Sequence, residues 1–273
     1  DLERLTGVSS IFRLPIPDGW EKQGIGRRFF LFPERSLDND DVELFLVDTI
    51  KSSGRSVVLT KDFPSSKKFK EFVDEKIKYE TFDANDIEES KETFLSKEHA
   101  VAIIANRYDG IDFAEDEART LIISDLSTST NLQEKFLVTC MAANELLNER
   151  ILTRVVQAMG RCTRSPTDYS SVIVLGEKLV SYLLSDKKRK LLHPELQAEL
   201  EFGIDQSKNM TLEDFIENIS EFYGQTDDWF EADKEIISLR DKSSKEEPAY
   251  IQNLQNSVKY EIEYQYKMWQ TDY

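Results

Sequence analysis

The apolar positions of this chain repeat in two different ways along its length. Ser56-Val-Val-Leu-Thr60, Ala100-Val-Ala-Ile-Ile-Ala105, Thr120-Leu-Ile-Ile-Ser124 and Ser171-Val-Ile-Val-Leu175 are short, unbroken apolar runs, the pattern of strands buried on both faces. Arg28-Phe-Phe-Leu-Phe32, stopped by Pro33, and Lys78 to Phe82 predict two further strands. Between these runs the spacing turns helical. Asp41 to Ser53 aligns Leu44, Phe45, Val47 and Ile50 and ends at Gly54, and Ser65 to Lys76 groups Phe69, Phe72 and Val73. Ser90 to Ser96, Asn131 to Asn148, Arg150 to Arg161 and the stretch from Glu177 predict further helices. Strands alternating with helices predict an α/β fold, with a parallel sheet covered by helices on both faces. From Pro194 the strand signals stop, and Leu212 to Phe222, Trp229 to Leu239 and Ile251 to Trp269 read as helices. The last runs to the end without a stop signal, so the natural protein is expected to continue. The expected organisation is a connector over 1–40, an α/β domain over 41–190 and a helical extension over 191–273.

Composition narrows the function. With 40% apolar and 11% aromatic residues the chain can build a core. No apolar run approaches the roughly 20 residues of a membrane span, and nothing at the start reads as a signal peptide. No membrane partner is expected, and a cytoplasmic location is. Two cysteines, Cys140 and Cys162, and two histidines with no metal-ligand spacing predict no Cys/His metal site, so no metal ligands are assigned. The thiols are expected in or near the core. The net charge of −17 is unevenly placed. Residues 194–273 hold 19 acids and 7 bases, whereas residues 150–190 hold nine bases and three acids. A local basic zone in an acidic protein is compatible with phosphate binding on one face.

Two constellations carry candidate chemistry. Gln157-Ala-Met-Gly160-Arg161-Cys-Thr-Arg164 puts two arginines three residues apart behind a glycine, at the end of an amphipathic run. Arginine keeps its charge and presents a planar fork of donors, so two forks on one helical turn can reach the same phosphate. In phosphoryl transfer such a group stabilises charge developing on the γ-phosphate. The second constellation, Asn106-Arg107-Tyr108-Asp109-Gly110-Ile111-Asp112-Phe113, follows the strand ending at Ala105. Loops at carboxyl strand ends are where ligands bind in open α/β sheets. Gly110 lets backbone approach a ligand, and Asp112 is able to accept from a ribose hydroxyl or to order water.

Together these stretches resemble the second RecA-like motor domain of a superfamily 2 helicase, closest to the XPD/DinG-type C-terminal helicase domain. Gln157-x-x-Gly160-Arg161-x-x-Arg164 matches motif VI, Tyr108-Asp-Gly-Ile-Asp-Phe113 matches motif V, and Ser56-Val-Val-Leu-Thr60 stands where motif IV belongs. Asp109 replaces the glutamate common in that group. The resemblance covers residues 40–185 and implies a RecA-like sheet. It implies ATP and Mg2+ as cofactors, bound mainly by a separate N-terminal RecA-like domain, and single-stranded nucleic acid, DNA before RNA, as partner. Arg161 and Arg164 are then arginine fingers, with Gln157 and Gly160 shaping their turn. Gly110 and Asp112 are implied at the nucleotide, and Thr60, Lys61 and Arg107 at strand phosphates.

No G-x-x-x-x-G-K-S/T occurs in this sequence, so nothing in it reads as a cradle for the β- and γ-phosphates. Asp116-Glu-Ala-Arg119 spells a DExx box but precedes its strand and is read as a loop. Leu121-Ile-Ile-Ser-Asp125 has the look of a Walker B strand, yet with no P-loop before it is read as a core strand. Gly24-Ile-Gly26 opens no helix and predicts no dinucleotide site. The expectation is half of an ATP-dependent helicase or translocase, inactive alone for want of Walker A and Walker B. The alternative is a non-catalytic RecA-like module used for assembly or regulation.

Overall fold

In the computed structural model the described residues are 26–105, 110–125, 132–141, 144–163, 165–248 and 250–270, with scattered positions before residue 26. Six strands form one parallel sheet: β1 (Arg27–Leu31), β2 (Arg55–Thr60), β3 (Glu80–Phe82), β4 (Ala100–Ala105), β5 (Thr120–Ser124) and β6 (Tyr169–Leu175). Their order is β1-β6-β5-β2-β4-β3. The expected RecA-like α/β architecture is present. Continuous apolar runs are explained by burial on two sides: Val57, Leu59, Ala102, Ile104, Leu121 and Val172 face one core, while Val58, Val101, Ile103, Ile122 and Ile173 face the other.

The helices within the α/β part are α1 (Asn39–Ser53), α2 (Phe63–Phe72), α3 (Ala84–Glu89), α4 (Lys91–Leu95), α5 (Leu132–Met141) and α6 (Asn144–Met159). After β6 come α7 (Glu177–Leu184), α8 (Asp186–Arg189), α9 (Pro194–Gln206), α10 (Leu212–Gly224), α11 (Asp227–Lys242) and α12 (Tyr250–Trp269). Local chemistry sets the starts: Asp38 caps α1 by accepting from Asp41 N at 3.0 Å, and Asp62 caps α2 by accepting from Ser65 N at 2.8 Å. Gly54 ends α1 at φ +73°. Residues 144–159 are helical throughout, so the chain is helical across the break expected near residue 149. Helix α6 turns Val155, Ala158 and Met159 into the core.

The expected boundaries at residues 40 and 191 do not separate layers. β1, inside the assumed connector, pairs with β6 from Arg27↔Tyr169 to Leu31↔Ile173. Helix α9, inside the assumed extension, closes the free edge of β1. An edge strand presents N–H groups on one side, alternate residues apart. Arg28 N donates to Glu199 Oε1 at 3.1 Å, and Phe32 N donates to Ser207 Oγ at 3.0 Å. Four residues of strand span about 13 Å and eight residues of helix about 12 Å, so these two side chains match that spacing. Between them Gly203 lies against the Phe30 carbonyl. Arg28 Nε also donates to Glu199 Oε2 at 2.7 Å in a buried pair. Further out, α10 and α11 bring Phe215, Phe222 and Trp229 into the second core with Phe29 and Phe45. Helices α9 to α11 are therefore the outer layer of the same sheet. Cys162 is buried, as expected, and burial pushes its thiol up, but Cys140 is exposed. Among the described residues no helix is long and apolar enough to cross a membrane.

Candidate functional site

Helix α6 delivers the first arginine. Its buried face anchors the last turn, which leaves Gln157 exposed at the surface. Gly160 N donates to Val156 O at 3.2 Å and Arg161 N to Ala158 O at 3.3 Å, so the helix ends on a tight turn. The Arg161 side chain turns inward, and the residue is only 4% exposed. Its Nη1 donates to the Ile111 carbonyl and to Asp112 Oδ1, the latter at 3.1 Å. The Arg161 carbonyl in turn accepts from Phe113 N at 2.9 Å. Two segments about fifty residues apart in sequence are thus fastened by backbone and side chain together. The Asp112 side chain keeps 42% of its surface open, so the carboxylate is anchored on one side and accessible on the other.

The loop around Asp112 is braced from α4. Lys91 Nζ donates to the Asp112 carbonyl at 2.7 Å, pairs with Glu117 and lies 5.2 Å over the Phe113 ring. Glu117 Oε2 also accepts from Ala114 N at 2.8 Å. Gly110 lies at φ +92°, and a Cβ there would meet nothing within 4 Å. It is an open backbone position of the kind that suits a ligand's approach.

Downstream of the arginines, Asp168 is buried and accepts from Glu115 N and Arg119 Nη1, each at 3.0 Å. The Arg119 guanidinium stacks 3.8 Å from the Tyr169 ring. Gly26 crosses this turn at φ +106°, where a Cβ would meet Asp168 O at 2.7 Å and Ser165 O at 2.9 Å. That close crossing accounts for the glycine. Residues on both sides of position 164 are consequently fixed to the loop that follows Asp112.

A second group sits at the carboxyl ends of β2, β5 and β6. Lys61 Nζ pairs with Asp125 Oδ2 at 3.0 Å, and the hydrogen bond, then the charge, of Asp125 hold the ammonium above its ordinary value. Asp125 lies at φ +81°, and its Oδ1 accepts from Leu179 N at 3.4 Å. Glu34 accepts from Gly176 N at 2.8 Å beside it. Thr60 is fully buried, and its hydroxyl donates to the Asp62 carbonyl at 3.3 Å.

The residues singled out in the sequence thus fall into two groups. Asp112, Gly160 and Arg161 come together, with Gln157 and Gly110 exposed nearby. Thr60 and Lys61 belong to the second group, at the carboxyl ends of β2 and β5 beside Asp125. Arg107 and Arg164 lie outside the described residues. Lys91, Arg119 and Asp168 were not legible as site residues, because each acts through a fold contact and belongs to no motif. The model of the family described as helicase C-terminal domain matches residues 46–195. The chain belongs to that family. The match takes in Thr60, Lys61, Gly110, Asp112, Gln157, Gly160 and Arg161. No curated protein matches the sequence. Among solved structures, that of S. tokodaii Xpd4 is similar at 14% identity with a TM-score of 0.41, over 60% of this chain and 38% of that chain. This helicase C-terminal domain thus spans well under half of that protein.

Proposed function

We propose that this chain is the C-terminal motor half of an ATP-dependent helicase or translocase acting on single-stranded nucleic acid, DNA in the first instance. The observation that carries the reading is the fastening of Arg161 to Ile111, Asp112 and Phe113. It joins the two family motifs into one unit that responds as a whole to what occupies the cleft beside it. Three described residues support a nucleotide there: an open glycine at 110, a half-exposed carboxylate at 112 and an exposed amide at Gln157. ATP with Mg2+ would supply the γ-phosphoryl group whose transfer to water drives the cycle. In this reading the two arginines divide the work. Arg161, turned inward, orients the loop of Gly110 and Asp112, and Arg164 reaches the γ-phosphate as the finger. An N-terminal RecA-like domain provides the P-loop. Closure and reopening of the cleft shift the grip of Lys61 on a strand phosphate.

The burial of Arg161 is also the one observation that favours a non-catalytic assembly module, because a buried arginine reaches no shared nucleotide. Association with the N-terminal motor half of the parent, followed with and without a non-hydrolysable ATP analogue, separates the two. A motor half binds more tightly with the analogue and loses that increment in Arg164→Ala. An assembly module binds equally well in all four conditions.

A further inference from the structure

A lysine is poorly placed at the start of a helix, where the backbone amides already concentrate positive charge and acids are favoured. Lys91 nevertheless opens α4, and Ser90 before it makes no side-chain cap. Its contacts lie in another segment. Lys91 Nζ donates to the Asp112 carbonyl at 2.7 Å and to Glu117 Oε2, and Glu117 Oε2 also accepts from Ala114 N at 2.8 Å. One ammonium and one carboxylate therefore hold the backbone on both sides of Phe113. The Phe113 ring is fully buried; it takes the ammonium over its face at 5.2 Å and meets the Phe94 ring of α4 in a T-shaped contact at 5.5 Å. The far end of α4 is tied to the same loop. Arg55 Nη1 donates to the Lys97 carbonyl at 2.9 Å, while its Nε donates to the Glu117 carbonyl at 2.8 Å. Within that loop Glu115 lies at φ +52°, which a residue with a Cβ holds only where its surroundings enforce it.

We propose that Lys91 is a positioning residue of the nucleotide site: by fixing the carbonyl of Asp112 and, through Glu117, the amide of Ala114, it sets where the Asp112 carboxylate and the open backbone at Gly110 stand. The inference rests on the motor reading above and names a residue, outside both motifs, on which the site of that reading depends. Arg161 holds the same loop at the Ile111 carbonyl and at Asp112 Oδ1. Residues 111 to 114 are thus gripped by two cations from different parts of the fold. With its ammonium committed to the loop, Lys91 acts through Asp112 and Gly110 and has no need to touch the nucleotide. A misplacement of about 1 Å can cost about a hundredfold in rate. Loss of Lys91 leaves the Arg161 grip in place, so the expected effect is smaller than that.

The test is steady-state ATP hydrolysis by the full parent protein in the presence of saturating dT or U strands. Lys91→Met keeps the length of the side chain and removes its charge. It is expected to raise KM for ATP about tenfold with kcat changed by less than about threefold, the signature of binding lost equally from ground and transition states. Lys91→Arg restores a cation with several donors and is expected to recover most of that loss. In an Asp112→Asn background the further loss from Lys91→Met shrinks to about threefold or less, because residues that act as a unit are not additive. Glu117→Gln is a milder break of the same bridge; it is expected to raise KM about threefold and serves where Lys91→Met folds poorly. Thr211→Ala removes a helix cap in the outer helical layer and keeps the parent's KM, which separates positioning from a general loss of stability. A Lys91→Met protein with the parent's KM and kcat overturns the positioning role and leaves the motor reading intact. A loss that Lys91→Arg does not recover, and that persists in full beside Asp112→Asn, makes Lys91 a support of the fold only and overturns the role as well. A parent that hydrolyses no ATP with either strand overturns the motor reading and this inference together.

Discussion

Gly203→Ala tests whether α9 is built into the sheet. In an isolated helix the substitution stabilises by about 1 kcal/mol, because alanine is the better helix former. Here the new Cβ would lie 2.3 Å from Phe30 O, 2.7 Å from Phe30 Cβ and 2.9 Å from Phe30 C. Ordinary contact begins near 3.4 Å, so α9 must back away by about 1 Å. The obstacle is mainly the backbone of a paired strand, which has little freedom to yield. A radial gap of that size forfeits a quarter to a half of each packing contact it opens. It also stretches the Arg28–Glu199 and Phe32–Ser207 hydrogen bonds that complete the strand edge. Overpacking costs about 1–3 kcal/mol on its own, and two strained buried hydrogen bonds add about 1–2 kcal/mol. Against the helical gain, the net is a loss of roughly 1–4 kcal/mol. For a chain of this size each kcal/mol lowers the melting temperature by about 2–4 °C. Thermal unfolding followed by circular dichroism reads it directly. A melting temperature equal to or above that of the parent sequence would mean that α9 does not seat on β1, and the claim of one continuous layer would fail.

Three further outcomes follow from the contacts. Arg161→Ala removes a buried guanidinium from Ile111 O and Asp112. Because Asp112 is partly solvated, the double-mutant cycle with Asp112→Asn should give a coupling of about 1 kcal/mol in denaturant melts, and additive losses would deny the link. Thr211→Ala deletes the hydroxyl that caps α10, which accepts from Asp214 N at 3.3 Å within a capping box. The expected loss is about 1 kcal/mol in the same assay, and an unchanged midpoint would refute it. Glu34 has its carboxyl raised, first by burial and then by the charge of Asp125, against the opposing Gly176 N–H bond. A raised acid favours folding below its unfolded value, near 4.3, and that contribution is lost as the pH climbs through the folded value. Glu34→Gln should therefore gain stability relative to the parent at pH 7.5 compared with pH 4, and the opposite trend would show that the carboxylate is held in its charged form.

The sheet was legible because strands buried on both faces show unbroken apolar runs, and all six appear close to their expected positions. The helical layer was legible as helices but not as a layer. Its tie to β1 runs through Glu199, Gly203 and Ser207, residue types that carry no signal until the strand edge beside them is known. The site divides in the same way. Arg161 and Asp112 stood out through their motifs, and the structure brings them within 3.1 Å. The inward turn of Arg161 was not legible, because a spacing of three residues places two forks on one turn without saying which of them the core takes. Lys91 and Asp168 were silent, since each reaches its partners only through the folded chain.

Nucleic-acid-stimulated ATP hydrolysis by this chain, alone and mixed with the N-terminal motor half of its parent, addresses the central proposal most directly. The account predicts no turnover from the chain alone, turnover on mixing, and a fall on the order of a thousandfold in Arg164→Ala. Hydrolysis by the isolated chain, or mixtures that associate yet stay inactive, would contradict it.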